Sequence, residues 1–294
     1  MILRALHTDN FRNLDAAEVQ FHPQANIIVG RNGQGKTNLI EAIYFLATTK
    51  SFRTTKAASL PRFGSTSLFV KGSVQRNGIE KTISAGLEVG ETKRRVLMIN
   101  SERVSLPAYL REITVFAYSA ARLEIVRGAP EERRRFLDRG IASISPGYLD
   151  DLTRYTRILK QRNALLYEIG TGSANVRSLD AWDESFAATA AAVQTARAAY
   201  AKELAETFER IVREHGYHIR GIGIAYKPST ADLWAARREE VRAKMSLSGP
   251  QRDVLEFTLE GRPAGEVLSG GELKTIVLFL KFAKLELFRR RFDE

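Results

Sequence analysis

The chain has 294 residues, 44% of them hydrophobic and 27% charged, with a formal net charge of +11 and a pI near 9.9. It is long enough for one large or two smaller domains, and without cysteine it excludes disulfides, thiolate metal sites and a cysteine nucleophile. No apolar run approaches the ~18 residues of a membrane span, and the early Arg4 without an apolar stretch behind it argues against a signal peptide, so the expected location is the cytoplasm. Such basic charge calls for an anionic partner: nucleic acid first, an acidic membrane surface as the rival, and a basic surface kept for solubility as the plain alternative.

Taken in order, Ile2–Leu6 and Val19–Phe21 read as short strands separated by the polar turn Asn10-Phe11-Arg12-Asn13. Ile27, Ile28 and Val29 form a β-branched run expected to be a buried strand. The eight residues Gly30, Arg31, Asn32, Gly33, Gln34, Gly35, Lys36 and Thr37 then fit G-x-x-x-x-G-K-[ST], and an apolar helix with Leu39, Ile40, Ile43, Tyr44 and Leu46 on its core face starts at once. That strand–loop–helix context is what a phosphate-binding loop needs. The glycines let the backbone approach phosphates closely, and amide groups converge on an anion at a helix N-terminus. Lys36 reaches the β- and γ-phosphates of a nucleotide, and Thr37 supplies a hydroxyl ligand for Mg²⁺.

After a basic loop, Lys50-Ser51-Phe52-Arg53-Thr54, three β-type runs are predicted at Ser67–Gln75, Ile79–Val89 and Arg94–Ile99, with Asn77-Gly78 as a hairpin turn. Leu106–Arg111 reads as a short helix and Ile113–Phe116 as another buried strand. From Ser119 to Met245 helical patterning dominates: a helix opened by Pro130, an amphipathic helix over Tyr148–Ile169, a break at Gly170-Thr171-Gly172-Ser173, and a long Ala-rich helix over Ala174–His215. Tyr217–Tyr226 has period-2 character, a helix is expected near Ala231–Lys244, and a strand at Leu255–Leu259. Leu268-Ser269-Gly270-Gly271-Glu272 then opens a last apolar helix, with Ser269 as N-cap and glycines that let a ligand approach; the plain alternative is an ordinary Gly-containing cap.

A phosphate-binding loop, an all-helical insert and Leu-Ser-Gly-Gly-Glu at a helix start occur in this order in ABC-type ATPase heads. More narrowly the chain resembles the RecF family of the SMC-like branch. The resemblance is carried by Asn10-Phe11-Arg12-Asn13-Leu14, Gly33-Gln34-Gly35-Lys36-Thr37-Asn38 with Glu41–Leu46, Lys50–Thr54, Arg133-Arg134-Arg135-Phe136-Leu137-Asp138 and Leu159-Lys160-Gln161-Arg162-Asn163, and it covers nearly the whole chain. It implies an α/β P-loop NTPase head with a mixed sheet plus an α-helical lobe: an ATPase lobe of residues 1–118 and 246–294, and a helical lobe of 119–245 with a long hairpin. It further implies an ATP- and Mg²⁺-dependent protein of recombinational repair and replication-fork maintenance in the SOS response. Such a protein binds single- and double-stranded DNA at gaps or junctions in the nucleoid, works with RecO and RecR to load recombinase, and forms an ATP-dependent homodimer. By position, Gly30–Thr37 would hold ATP in one subunit, while Ser269, Gly270, Gly271 and Glu272 would meet its γ-phosphate from the other. Arg12 and Asn13 would lie near the nucleotide, and Arg53 near the γ-phosphate or DNA. For Arg53 and Arg133–Arg135 a solvated basic face is the alternative.

Three departures from the family pattern stand out. Ser119-Ala120-Ala121 replaces a Pro-acidic stretch, with no Q-loop glutamine; Gln251 and Val254 replace His and Asp; and the chain stops at Arg291-Phe292-Asp293-Glu294, before the Walker B strand and its Asp-Asp pair. Without those carboxylates Mg²⁺ lacks a second anchor and water its activating group. No catalytic residue is identified, and the chain reads as an incomplete or divergent version that binds ATP weakly and hydrolyses it poorly or not at all. The competing readings are a weakly active or inactive fragment, a transporter-type or generic ABC ATPase subunit, and a structural SMC-like chromosome protein, for which the helical insert is short.

Overall fold

In the computed structural model, which describes residues 1–118, 124–219 and 221–292, the chain divides into two compact units, Met1–Ala117 and Tyr118–Glu294. The stretch Ser119-Ala120-Ala121 and the last two residues, Asp293 and Glu294, lie outside the described residues.

The first unit contains β1 (Ile2–Asp9), β2 (Ala17–Gln20), α1 (Lys36–Thr48), β3 (Ser67–Arg76), β4 (Ile79–Val89), β5 (Lys93–Ile99), β6 (Glu102–Arg103) and α2 (Leu106–Leu110). The strands form one sheet in the order β2-β1-β3-β4-β5-β6 with antiparallel ladders throughout. The period-2 pattern sets the register: Leu68, Val70 and Gly72 oppose Leu87, Ala85 and Ile83, and these six share the buried face. α1 covers that face so closely that a Cβ on Gly72 would meet Leu46 at 2.5 Å. At its far end the Tyr109 hydroxyl donates to the Leu46 carbonyl at 2.7 Å, and burial raises the Tyr109 pKa above its ordinary value. Asn77 and Gly78 both take positive φ, as a two-residue hairpin demands.

Two predicted strands are absent. Ile27–Val29 joins no ladder among the described residues, and Ile27 and Val29 are 89% and 82% exposed. Ile113–Phe116 is likewise irregular, although Ile113 is buried in the core of this unit. β-branched runs state a preference, but a strand exists only where a neighbour supplies the other half of its hydrogen bonds. The α1 face is also corrected. Ile40 is exposed, and the buried face is Glu41, Ala42, Phe45, Leu46 and Ala47.

The second unit contains α3 (Glu124–Arg127), α4 (Pro130–Ile144), α5 (Tyr148–Gly170), α6 (Asp180–Glu214), β7 (Ile222–Lys227), α7 (Leu233–Ala243), β8 (Val254–Leu259), β9 (Arg262–Pro263), α8 (Ala264–Val267) and α9 (Gly270–Phe292). α5 and α6 form the predicted hairpin. α6 starts at Asp180, later than expected, because Asn175 caps a short 3₁₀ turn at Val176–Leu179 first. Its 35 residues span roughly 50 Å. β7, β8 and β9 form a small antiparallel sheet, and the apolar core runs through Leu137, Val193, Leu204, Phe208, Leu273 and Leu280.

Ion pairs tie the helices of this unit together. The fully buried Arg162 donates to Asp183 at 2.9 Å and Glu240 at 2.7 Å, while Arg197 bridges Asp138 and Asp253 at 2.9 and 2.8 Å. Of the arginine run, Arg133 and Arg134 donate to the carbonyls of Leu255 and Asp253. Only Arg135, paired with Glu131 and Glu132, is a solvated basic face. No described helix is long and apolar enough to cross a membrane.

Candidate functional site

The phosphate-binding loop lies in the first unit. Gly35 is the N-cap of α1, at φ 95° and ψ 4°, and a Cβ there would sit 2.8 Å from the Asn13 Oδ1. Both the positive φ and the close approach require glycine. No side chain caps α1 and no acidic residue occupies its first turn, so its amide donors and dipole face outward without a protein carboxylate. Lys36 Nζ donates to the carbonyls of Gly30 and Arg31, each at 2.7 Å, which curls the loop around the ammonium. An ammonium has three donors, so one remains for a phosphate oxygen. Arg31, Asn32, Gly33, Gln34 and Thr37 are exposed.

A hydrogen-bonded chain continues from the loop. Asn13 Nδ2 donates to the Gly33 carbonyl at 3.0 Å, Asn38 Nδ2 to Asn13 Oδ1 at 2.6 Å, and Arg53 Nη1 to Asn38 Oδ1 at 2.6 Å. Behind it lies Glu41, fully buried on α1. It accepts from Arg12 at 2.8 and 3.1 Å, from Arg53 at 3.2 Å, and from the Ser51 hydroxyl. Burial by itself would raise the Glu41 pKa; the Arg12 and Ser51 bonds and the charges of Arg12 and Arg53 outweigh it and hold the carboxyl below its ordinary value. Arg12 takes the left-handed φ of 56° and also donates to the Ser59 carbonyl at 2.5 Å. An open cleft of about 560 Å³ adjoins these groups, with Arg12, Asn13, Asn38, Arg53, Arg62 and the exposed Phe63 on its walls. The structure therefore gathers Arg12, Asn13 and Arg53 beside the loop.

In the second unit, Ser269 and Glu272 close the start of α9 as a capping box. Ser269 Oγ accepts from the Glu272 amide at 3.3 Å and Glu272 Oε2 accepts from the Ser269 amide at 2.7 Å. The bonds to Ser269 hold the Glu272 carboxyl below its ordinary pKa. Gly270 and Gly271 are exposed, with nothing within 4 Å of where a Cβ would stand. Arg127 holds the preceding segment by donating to the carbonyls of Gly265 and Leu268 at 2.9 and 3.0 Å.

The description of the RecF/RecN/SMC N terminal domain matches residues 2–292. Over 307 residues the chain is 33% identical to the DNA replication and repair protein RecF of Geotalea daltonii, covering 99% of this chain and 82% of the relative. The chain belongs to the RecF family. RecF of Myxococcus xanthus is 36% identical over 304 residues, covering 97% of this chain and 79% of that one. A solved structure of the recombination mediator RecF with ATP, in the RecFOR pathway, superimposes on the RecF-like fold of this chain with a TM-score of 0.89 at 27% identity, covering 100% of this chain and 82% of that one. An SMC head bound to the C-terminal winged-helix domain of ScpA matches with a TM-score of 0.51 at 16% identity, which speaks for the shared fold alone. The fold class is thus the SMC-type P-loop ATPase head of RecF.

Asn38, Glu41 and Ser51 were missed as part of the RecF loop region. Asn38 and Glu41 do stand in segments that carried the resemblance, but a Glu on an apolar helix reads as solvent-facing until its partners from the 10–14 turn and the 50–54 loop are placed around it.

Proposed function

We propose that this chain is an ATP-gated DNA-binding protein of recombinational repair and replication-fork maintenance. The observation that carries the reading is the start of α1: an uncapped, carboxylate-free helix N-terminus, glycine where a Cβ would collide, and Lys36 curled into the loop with a donor to spare. A nucleotide triphosphate fits that cradle, held by Gly30–Thr37, with Arg12 and Asn13 beside it. Thr37 offers one exposed hydroxyl oxygen to Mg²⁺. Among the described residues no cluster of three or more acidic or histidine side chains is poised for a metal, so the ion would rest on Thr37, nucleotide phosphates and water.

Residues 1–118 and 246–294 act in this reading as the ATPase lobe and 119–245 as the helical lobe. Two copies close on ATP, with Ser269, Gly270, Gly271 and Glu272 of one meeting the γ-phosphate held by the other. The basic surface takes single- and double-stranded DNA at gaps or junctions in the nucleoid, and RecO and RecR are the partners in recombinase loading. The family membership and the net charge of +11 support this. Binding is the switch; hydrolysis, where it occurs, resets it.

The test is binding to gapped DNA with and without ATP at two salt concentrations, for the wild type and Lys36→Ala. Binding that needs ATP, weakens with salt and is lost in the variant supports the gated switch. Binding indifferent to ATP and to Lys36 overturns it and leaves only a basic surface.

A further inference from the structure

The start of α1 is linked to the open cleft by side chains that neither the loop motif nor the net charge accounts for. Asn38 follows Thr37 directly, and its amide is used at both ends: Nδ2 donates to Asn13, which in turn holds the Gly33 carbonyl, and Oδ1 accepts from Arg53. Arg53 is half-exposed on the cleft wall. Its side-chain bonds, to Asn38 and Glu41, both use Nη1, so Nε and Nη2 keep their donors unused among the described residues. Glu41 is already matched by the two-point contact with Arg12 and by Ser51, so the Arg53 charge is in excess within the cluster.

We propose that Asn38 and Glu41 are positioning residues that hold the Arg53 guanidinium beside the phosphate-binding loop, where its free donors take a phosphate of the bound nucleotide. This rests on the nucleotide reading above and adds a specific division of labour. Lys36 and the loop amides seat the phosphate chain, and the relay Gly33–Asn13–Asn38–Arg53 fixes a second cation against it. Because Asn38 also reaches the loop backbone through Asn13, the position of Arg53 and the shape of the loop are coupled. A nucleotide phosphate is favoured over a DNA phosphate because the relay ends on the loop itself, one residue from Thr37. Arginine suits the role better than lysine, since one planar fork contacts Asn38, Glu41 and an oxyanion together.

The experiment measures equilibrium affinity for MgATP and for a short DNA duplex on the full chain. It uses the wild type, Asn38→Ala, Arg53→Ala, the double variant, Arg53→Lys and Lys36→Ala, with thermal unfolding as the folding control. Asn38→Ala and Arg53→Ala are each expected to weaken MgATP about tenfold, and the double variant no further than Arg53→Ala alone, because both remove one charge-assisted contact. Arg53→Lys should not restore affinity, and duplex affinity should change little in Asn38→Ala. Should Asn38→Ala fail to fold, Asn38→Ser carries the same cycle. Additive losses would show that Asn38 does not act through Arg53, and unchanged ATP affinity in either single variant would sink the idea outright. A loss confined to DNA would reassign the phosphate to DNA and overturn the nucleotide assignment. If Lys36→Ala binds ATP as well as the wild type, the nucleotide reading itself fails, which no result at Asn38 alone would show.

Discussion

Two helices in this protein start at a glycine-rich turn, and they are built in opposite ways. At α1 the glycine is required by the fold: Gly35 has φ 95° and no room for a Cβ, and no side chain caps the helix. At α9 the glycines stand in open space, and Ser269 and Glu272 satisfy the first donors from within the chain. One start is held open by its backbone and surrounded by cations, while the other is closed by its own side chains and carries a carboxylate. Similar strings of glycine therefore mean different things. In α1 they set backbone shape; in α9 they keep a surface bare.

The sharpest way to break the comparison is at Glu41, which underpins the first start and has no counterpart at the second. Glu41→Ala leaves Arg12 without its main partner in a buried setting and should cost about 3–5 kcal/mol in urea unfolding, compared with the wild type. The same carboxylate gives a pH signature. Its folded pKa lies below its ordinary value of 4.5, so its contribution is fully present above that value and is lost as pH falls through the depressed folded pKa. Unfolding midpoints between pH 7 and 3 should therefore fall more steeply for the wild type than for Glu41→Gln; parallel curves would contradict the pairing.

Next in size is the glycine contrast. Gly35→Ala meets both a left-handed φ and Asn13, and should destabilise by about 1–3 kcal/mol and distort nucleotide binding. Gly271→Ala meets neither and should leave stability within about 0.5 kcal/mol, so any effect on ATP-dependent dimerisation reports the surface and not the fold. Equal destabilisation by the two would end the distinction. The smallest decisive effect is at the cap. Ser269→Ala removes one half of the capping box and should cost about 1 kcal/mol of thermal stability without changing ATP affinity of the isolated subunit.

Much of the local structure was legible from residue pattern. Asn77-Gly78 placed the β3–β4 hairpin, and β4 spans the predicted Ile79–Val89. Pro130 opens α4, and the Gly170–Ser173 break separates α5 from α6. Each of these is a short-range signal, written in dihedral preference or helical period. The failures share the opposite cause. Ile27–Val29 and Ile113–Phe116 have strand composition but no ladder among the described residues, and composition cannot supply a partner. The α1 stripe was drawn through Ile40, which is exposed, and past Glu41, which is buried, because the partners that make a buried carboxylate tolerable come from two other segments. Arg133 and Arg134 were read alongside Arg135 as one run, yet they bond carbonyls more than 100 residues away in sequence, while Arg135 pairs within its own helix.

The sequence by itself determined the phosphate-binding loop, the helix that follows it, the capping residues of α9 and the family, because these depend on fixed spacings of glycine, lysine and serine within a few residues. Only the tertiary structure decided which face of α1 is buried, that Glu41 holds Arg12 and Arg53, and that Asn38 links Arg53 to the loop. Those outcomes turn on charges and hydrogen bonds between segments far apart in the chain, whose value depends on burial and distance, and neither exists until the chain has folded.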